Sequence, residues 1–297
     1  MDELKTATDL VKIGAAAWAS KEVAGKLLGP TFDYIGGEIR HFAEKCNVNI
    51  TGIFARAKRK LGERLEESGA VSPRVLRHVI DEGAFCNEAI AAEYVAGVLA
   101  AARVEGGRDD RGVAYLAVIR ELSVFQLRVH YLVYWSIKKL LNEHDLSVAI
   151  GYQAKQMRIF LSDKFIAANL EVGTIDKTEV IVSHSLTGLA RLDLIDARWW
   201  GGPAEMLRES VEPTILEGGY VVTPTMFGVE LFLWAHGLPD THIADFLRKD
   251  VFIGSLPDVP VAGLPKHAPD TSATRQREQQ EIDEFVQRTI AERQRDR

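Results

Sequence analysis

Apolar residues return at helical spacing over most of this chain, three or four positions apart with polar residues between them, as in amphipathic helices. From Thr8 to Leu28 the positions Leu10, Ile13, Ala17, Ala24, Leu27 and Leu28 follow that spacing, with Thr8 as cap and Gly29-Pro30 as stop. A second helix follows Pro30, with Phe32, Ile35, Ile39 and Phe42 on one face, and Gly36-Gly37 in its middle implies close packing against a neighbour. Thr51 to Glu67 sets Ile53, Ala57, Leu61 and Leu65 on one stripe and Arg56, Lys60 and Arg64 on another. Ser72-Pro73 supplies a cap and first turn for a helix through Ile80, and Asn87 begins an alanine-rich helix to Ala102. After a glycine-flanked turn from Gly106 to Gly112, the strongly apolar stretch Val113 to Asn142 reads as two helices broken near Ser123.

The pattern then changes. A helix at Val180 to Leu192 leads through Leu194-Ile195 into a loop rich in Trp, Gly and Pro, a short strand Tyr220-Val221-Val222, and a helix capped by Thr223-Pro224 that runs through Trp234. That order resembles part of a winged-helix unit. Pro257, Pro260, Pro265 and Pro269 predict an extended linker, and Thr274 to Arg297 predicts a helix whose narrow apolar stripe, Ile282, Phe285, Val286 and Ile290, needs a partner. The fold expected is mainly α: a helical bundle over 1–145, a winged-helix-like α+β region over 146–256, a Pro-rich linker over 257–270 and a charged amphipathic tail helix over 271–297.

Composition narrows this without changing it. Of 297 residues 46% are apolar and 26% charged, the balance of a folded protein. A net charge of -6 gives no global attraction to phosphate backbones or anionic lipid. Cys46 and Cys86 have no C-x-x-C spacing, so neither a disulfide framework nor a zinc site is indicated, and a reducing cytoplasm is the expected compartment. The opening Met1-Asp2-Glu3 lacks the features of a secretory signal, and Ala89 to Ala102, interrupted by Glu93, is too short for a span of about 20 apolar residues. No transmembrane segment is expected. Ile13 to Leu28, with Trp18 and Lys12, Lys21 and Lys26 nearby, has the composition of a surface-lying helix, but its alanines bury little area and favour packing within the bundle.

No phosphate-binding glycine loop and no G-x-S-x-G occurs, and Ser183-His184-Ser185 on a helix are neighbours that do not face one another. No catalytic residue, metal site or cofactor is assigned. His236, Asp240, His242 and Asp245 straddle the turn Gly237-Leu238-Pro239, and Asp240 explains itself as the cap of a following helix. Asp109-Asp110-Arg111 offers two carboxylates beside a guanidinium; the structural account has Asp110 capping the next helix while Asp109 pairs with an arginine. The residues to check for chemistry are thus Asp109, Asp110, Arg111, His236 and His242. For nucleic acid, the candidate patch is Arg56, Lys58, Arg59, Lys60 and Arg64, whereas a recognition helix at Val180 to Leu192 would present Ser183, His184, Ser185, Thr187 and Arg191, a single fixed cation flanked by Glu179 and Asp193. That favours protein contact over DNA reading.

Several stretches together resemble the abortive-infection alpha family of bacterial proteins. They are Lys26-Leu27-Leu28-Gly29-Pro30 with Ile35-Gly36, the basic helix Ile53 to Leu65, Val71-Ser72-Pro73 with Val75-Leu76, and the helix Asn87 to Ala102. Ile119-x-x-Leu122-Ser123, Leu192-Asp193-Leu194-Ile195 and Thr223-Pro224-Thr225-Met226-Phe227-Gly228 complete the resemblance, which covers residues 20–236. Where that family places an acidic run before a tryptophan-containing helix, this chain has Gly83-Ala84-Phe85-Cys86 and Tyr94-Val95-Ala96-Gly97. The resemblance implies a role in defence against phage and brings no catalytic residue with it. The expected function is a non-enzymatic defence protein that works through a protein partner or homo-oligomer; a nucleic-acid-binding regulator is the alternative, and an enzyme or toxin built on Asp109, Asp110, His236 and His242 ranks third.

Overall fold

The computed structural model describes residues 49–83, 86, 88–142, 144–171, 177–211 and 214–270. The two helices expected before residue 49 and the tail stripe Ile282, Phe285, Val286 and Ile290 lie outside the described residues. Ten α-helices are described: α1 (Asn49–Leu61), α2 (Pro73–Gly83), α3 (Ala89–Ala101), α4 (Gly112–Glu121), α5 (Val124–Leu141), α6 (Gly151–Gln156), α7 (Asp163–Asn169), α8 (Thr178–Arg191), α9 (Ala204–Ser210) and α10 (Met226–Ala235). The described strands are β1 (Ala70–Val71), β2 (Arg103–Val104), β3 (Ile159–Ser162), β4 (Trp200–Gly202), β5 (Gly219–Val222) and β6 (Lys266–His267). The molecule is mainly helical, with small antiparallel sheets.

At the centre lies α3, in which every residue from Ile90 to Ala101 is buried. A helix that is apolar apart from Glu93 and rich in alanine is suited to that position because its small side chains let neighbours approach closely. The closest approach is to α10: a Cβ on Gly97 would stand 1.9 Å from the carbonyl oxygen of Ala235, so only glycine fits. The break expected near Ser123 is a capping box: Ser123 Oγ accepts from Gln126 N, and Gln126 Oε1 accepts from Ser123 N. Gln126 also leaves no room for a side chain at Gly188 of α8, which packs α8 against α5.

The larger sheet has the order β4-β5-β3-β6, with every pairing antiparallel. Its alternation is complete: Ile159, Leu161, Tyr220 and Val222 face the main core, while Phe160 and Val221 join Leu207, Ile215 and Ala268 in a small cluster on the other face. Four of the six strands carried no sequence signal of their own: β1, β2 and β6 are two residues long, and β4 reads Trp-Gly-Gly.

Among the described residues one buried apolar cluster runs from Ile50 to Val259, across residues 145 and 146. Two expectations are corrected. The segment 257–270 is not a free linker: Val259, Pro265 and Ala268 are buried, and β6 pairs with β3. Asn169 holds this segment like a strand neighbour, its Nδ2 donating to Ala262 O at 3.0 Å while its Oδ1 accepts from Ala262 N at 2.7 Å. Prolines remove donors but leave carbonyls, and Arg128 uses one of them, donating to Pro260 O. Finally, α10 is capped by Thr225 and not by Thr223-Pro224: Thr225 Oγ1 accepts from Gly228 N and donates to Asp193 O. Tyr134 Oη fastens the same corner by donating to Leu194 O at 2.6 Å and accepting from Thr225 N at 3.0 Å.

Candidate functional site

The basic stripe of α1 is turned largely inward. Glu93, 0% exposed in the middle of α3, is met by Arg56 Nε at 3.3 Å, Arg59 Nη2 at 2.5 Å and Lys60 Nζ at 2.6 Å. Asp258 adds a second carboxylate, 2.9 Å from Arg56 Nη2. Burial lowers the Lys60 pKa and the neighbouring Glu93 opposes that shift. Arg64 donates to Gly237 O at 3.2 Å, while Lys58 and Arg59 are the exposed members of the five, Arg59 reaching Glu93 from the surface. Three of the five cations that read as a phosphate-binding patch are paired with Glu93 and Asp258, and α1 is thereby tied to the centre of the fold.

The residues singled out for chemistry do not converge. Asp109 takes a bidentate pair from Arg111, which holds its carboxyl below the usual range, as the pairing expectation had it. Asp110 pairs with Arg74 and makes no side-chain cap on α4, so its capping role is corrected. His236 donates from Nδ1 to Phe232 O at 2.8 Å, and burial holds its pKa down to about 3. His242 is exposed and itself caps the short 3-10 turn Ile243–Asp245, the role expected of Asp240. Among the described residues no three His, Cys, Asp or Glu side chains are grouped to hold a metal ion.

A cleft of about 640 Å³ opens elsewhere, between α7, α8 and the strands β4 and β5. Its position follows from local sequence. Ser162 ends β3 and caps α7 through Phe165 N, placing Asp163 at the first turn, where its own N–H donates to Gly218 O at 3.0 Å. The Asp163 carboxylate lies over Gly218, where a Cβ would meet Oδ2 at 2.7 Å. Gly201 and Gly202 make the opposite wall, and the Tyr220 ring covers Gly201 closely enough to exclude a side chain there. Trp199 stands beside Tyr220, ring centroids 6.2 Å apart. From α8 come Thr178, Glu179, Val182 and Ser183.

The cleft is negative. Asp163 and Glu179 line it, no Lys, Arg or His does, and neither carboxylate has an ion-pair partner among the described residues. Burial raises the Asp163 pKa first, and the charges of Glu217 and Glu179 push it further in the same direction. Glu217 is met by Lys164 Nζ at 3.6 Å. Tyr220 is raised by burial and then by Asp163 and Glu179, so its hydroxyl shares the field of both carboxylates. Van der Waals walls, two aromatic rings and unneutralised carboxylates form a surface that attracts an organic cation and repels phosphate.

Sequence reasoning placed α8 and, of the residues it presents, erred only at Ser185. Ser185 is buried and donates to Ile181 O at 2.7 Å, while Glu179, His184, Thr187 and Arg191 are exposed. Asp163, Trp199 and Tyr220 were missed altogether. The signal that could have found them is the pair of glycine doublets, Gly201-Gly202 and Gly218-Gly219, each beside an aromatic residue at the end of a short strand.

No family model, curated protein or solved structure matches the chain. Among the described residues no helix is long and apolar enough to cross a membrane.

Proposed function

We propose that this is a non-enzymatic, cytoplasmic interaction protein of bacterial antiphage defence, in which residues 151–222 act as a winged-helix unit that contacts protein instead of DNA. The order α6-β3-α7-α8-β4-α9-β5, with β5 between β3 and β4, supports the winged-helix reading, α9 standing in the connection that would be the wing. The observation that carries the protein-contact reading is the cleft beside α8, lined among the described residues by Asp163 and Glu179 and by no cation. A helix that enters a DNA groove must approach phosphates, and Glu179 at its first turn, with Asp163 facing it from α7, opposes that approach. The basic stripe offers little compensation, since Arg56, Arg59 and Lys60 surround Glu93. Defence is supported by the abortive-infection alpha resemblance of residues 20–236, and an oligomer or a bound protein is the working form.

Two measurements test this reading. Bacteria expressing the chain are expected to show fewer phage plaques than cells carrying an Asp163→Asn, Glu179→Gln double variant, at equal protein level. The purified full chain is expected not to retain duplex DNA at 100 mM salt, a condition that about six phosphate contacts survive in many DNA-binding proteins. Salt-sensitive duplex binding weakened by Lys58→Glu and Arg64→Glu would reverse the assignment in favour of a nucleic-acid-binding regulator.

A further inference from the structure

We infer that the cleft between α7, α8 and the β4–β5 strands is a receptor for an arginine side chain of a basic peptide segment in a partner protein. This rests on the protein-contact reading above and names the chemistry of the contact. Asp163 and Glu179 supply charge that nothing lining the cleft neutralises. Tyr220 supplies the second observation: it is only 9% exposed, it lines the cleft, and its hydroxyl makes no hydrogen bond among the described residues. The hydroxyl itself is reached by solvent and lies in the field of both carboxylates, so it is free to bond a group that enters beside them.

The aromatic walls select the cation. A guanidinium is planar, carries donors matched to carboxylate oxygens and stacks on aromatic faces, whereas an ammonium is a compact, strongly hydrated point charge. Trp199 and Tyr220 stand at 6.2 Å with their planes inclined by 49°, and both line the cleft together with Asp163 and Glu179, so a flat cation that enters meets aromatic and carboxylate groups at once. The volume of about 640 Å³ exceeds what one guanidinium occupies and falls in the range of sites that enclose a ligand.

A peptide, and not a free amine, is indicated by exposed apolar side chains close to the cleft's lining residues Glu179, Gly202 and Gly218. Val180 follows Glu179 and is 60% exposed, Leu216 precedes Glu217 and is 84% exposed, and exposed Met206 packs on Gly202. An arginine flanked by apolar residues would bury these side chains as its guanidinium meets the carboxylates, which a small polyamine would not do.

The test uses the full chain and three fluorescein-labelled peptides, Gly-Leu-Arg-Arg-Leu-Gly-amide and its lysine and citrulline counterparts, followed by fluorescence anisotropy at two salt concentrations. The arginine peptide is expected to bind at least tenfold more tightly than the citrulline peptide, which has the same shape without the charge, and several-fold more tightly than the lysine peptide. Asp163→Asn with Glu179→Gln should abolish the preference. Trp199→Ala should erase the distinction between arginine and lysine, and Tyr220→Phe should weaken arginine binding several-fold with the fold kept, as read by circular dichroism. A Glu63→Gln, Glu66→Gln control makes the same change of charge at exposed sites on the 3-10 turn after α1 and its end and should bind like the parent. Equal binding of arginine and citrulline peptides, or arginine binding untouched by the cleft variants, overturns the proposal. Spermidine competing at equal concentration with the arginine peptide overturns its peptide part. If no peptide binds and duplex DNA does, the protein-contact reading itself has failed; if neither binds, only the arginine assignment has.

Discussion

Lys60 Nζ lies 2.6 Å from Oε2 of Glu93, and both side chains are buried where α1 crosses α3. Neither charge is tolerable alone in such a place, so the pair should show its worth when one member is removed. Glu93→Gln is expected to cost about 3–5 kcal/mol, because Lys60 and Arg56 then keep their charge without the acceptor. Replacing Glu93 and Lys60 together by methionine should cost less than Glu93→Gln alone. Urea denaturation of the two variants checks the order, and a double variant less stable than the single one would show that the pair is not the coupled unit described.

The crossing of α3 and α10 depends on Gly97 as the network depends on Glu93. A methyl group there would meet the Ala235 backbone at 1.9 Å, and backbone cannot rotate aside as a side chain can. Gly97→Ala is therefore expected to destabilise by about 1–3 kcal/mol despite the better helix propensity of alanine. By contrast, Gly62→Asn, at a φ of 53° with open space around it, should change stability by less than about 1 kcal/mol. Thermal melts of both variants decide whether space or propensity governs.

Helices were legible because their apolar period is local: α2, α3, α4, α5, α8 and α10 each fall close to a stretch that the spacing marks. The Ser123 break was legible for the same reason, since a capping box involves only residues three apart. What was not legible depends on distant partners. The arginines of α1 read as a solvent-facing stripe because Glu93 and Asp258, which turn them inward, are far away in sequence. The prolines of 257–270 read as a linker because the amide of Asn169 and the edge of β3, which hold that segment, cannot be seen from its own composition. The cleft went unseen because its walls come from four elements, α7, α8, β4 and β5, that no sequence motif links.

That hold on the 257–270 segment gives a third prediction. Asn169 is 1% exposed and pairs with both backbone groups of the exposed Ala262, so Asn169→Ala gives that carbonyl and N–H up to water. Each lost bond is worth about 0.5–1.5 kcal/mol, and the loss falls locally on a segment without a helix of its own. Limited proteolysis is expected to cut Asn169→Ala between residues 257 and 270 at enzyme levels that leave the parent intact. Equal resistance would mean that the buried Val259 and the β6 pairing suffice.

Acid should expose the two buried histidines. His130 accepts from the Tyr94 hydroxyl at Nδ1, 2.6 Å away, and donates from Nε2 to Gly228 O at 3.1 Å, an arrangement that requires the neutral ring. Burial brings its pKa down to about 3, and that of His236 likewise to about 3 with the Lys60 charge adding to the effect. In the unfolded chain both return to about 6.5, so the unfolded state takes up protons first as pH falls. The stability that this difference supplies is complete above pH 6.5 and drains away below it, by about 2 kcal/mol per histidine at pH 5. Urea midpoints between pH 7.5 and 5 should fall accordingly, in a window chosen above the range where most carboxylates titrate. His236→Phe keeps the ring and removes one titrating group, with its Nε2 having no partner to lose. Its stability should therefore fall with pH about half as steeply as that of the parent, and a slope equal to the parent's would mean that His236 is protonated in the folded protein.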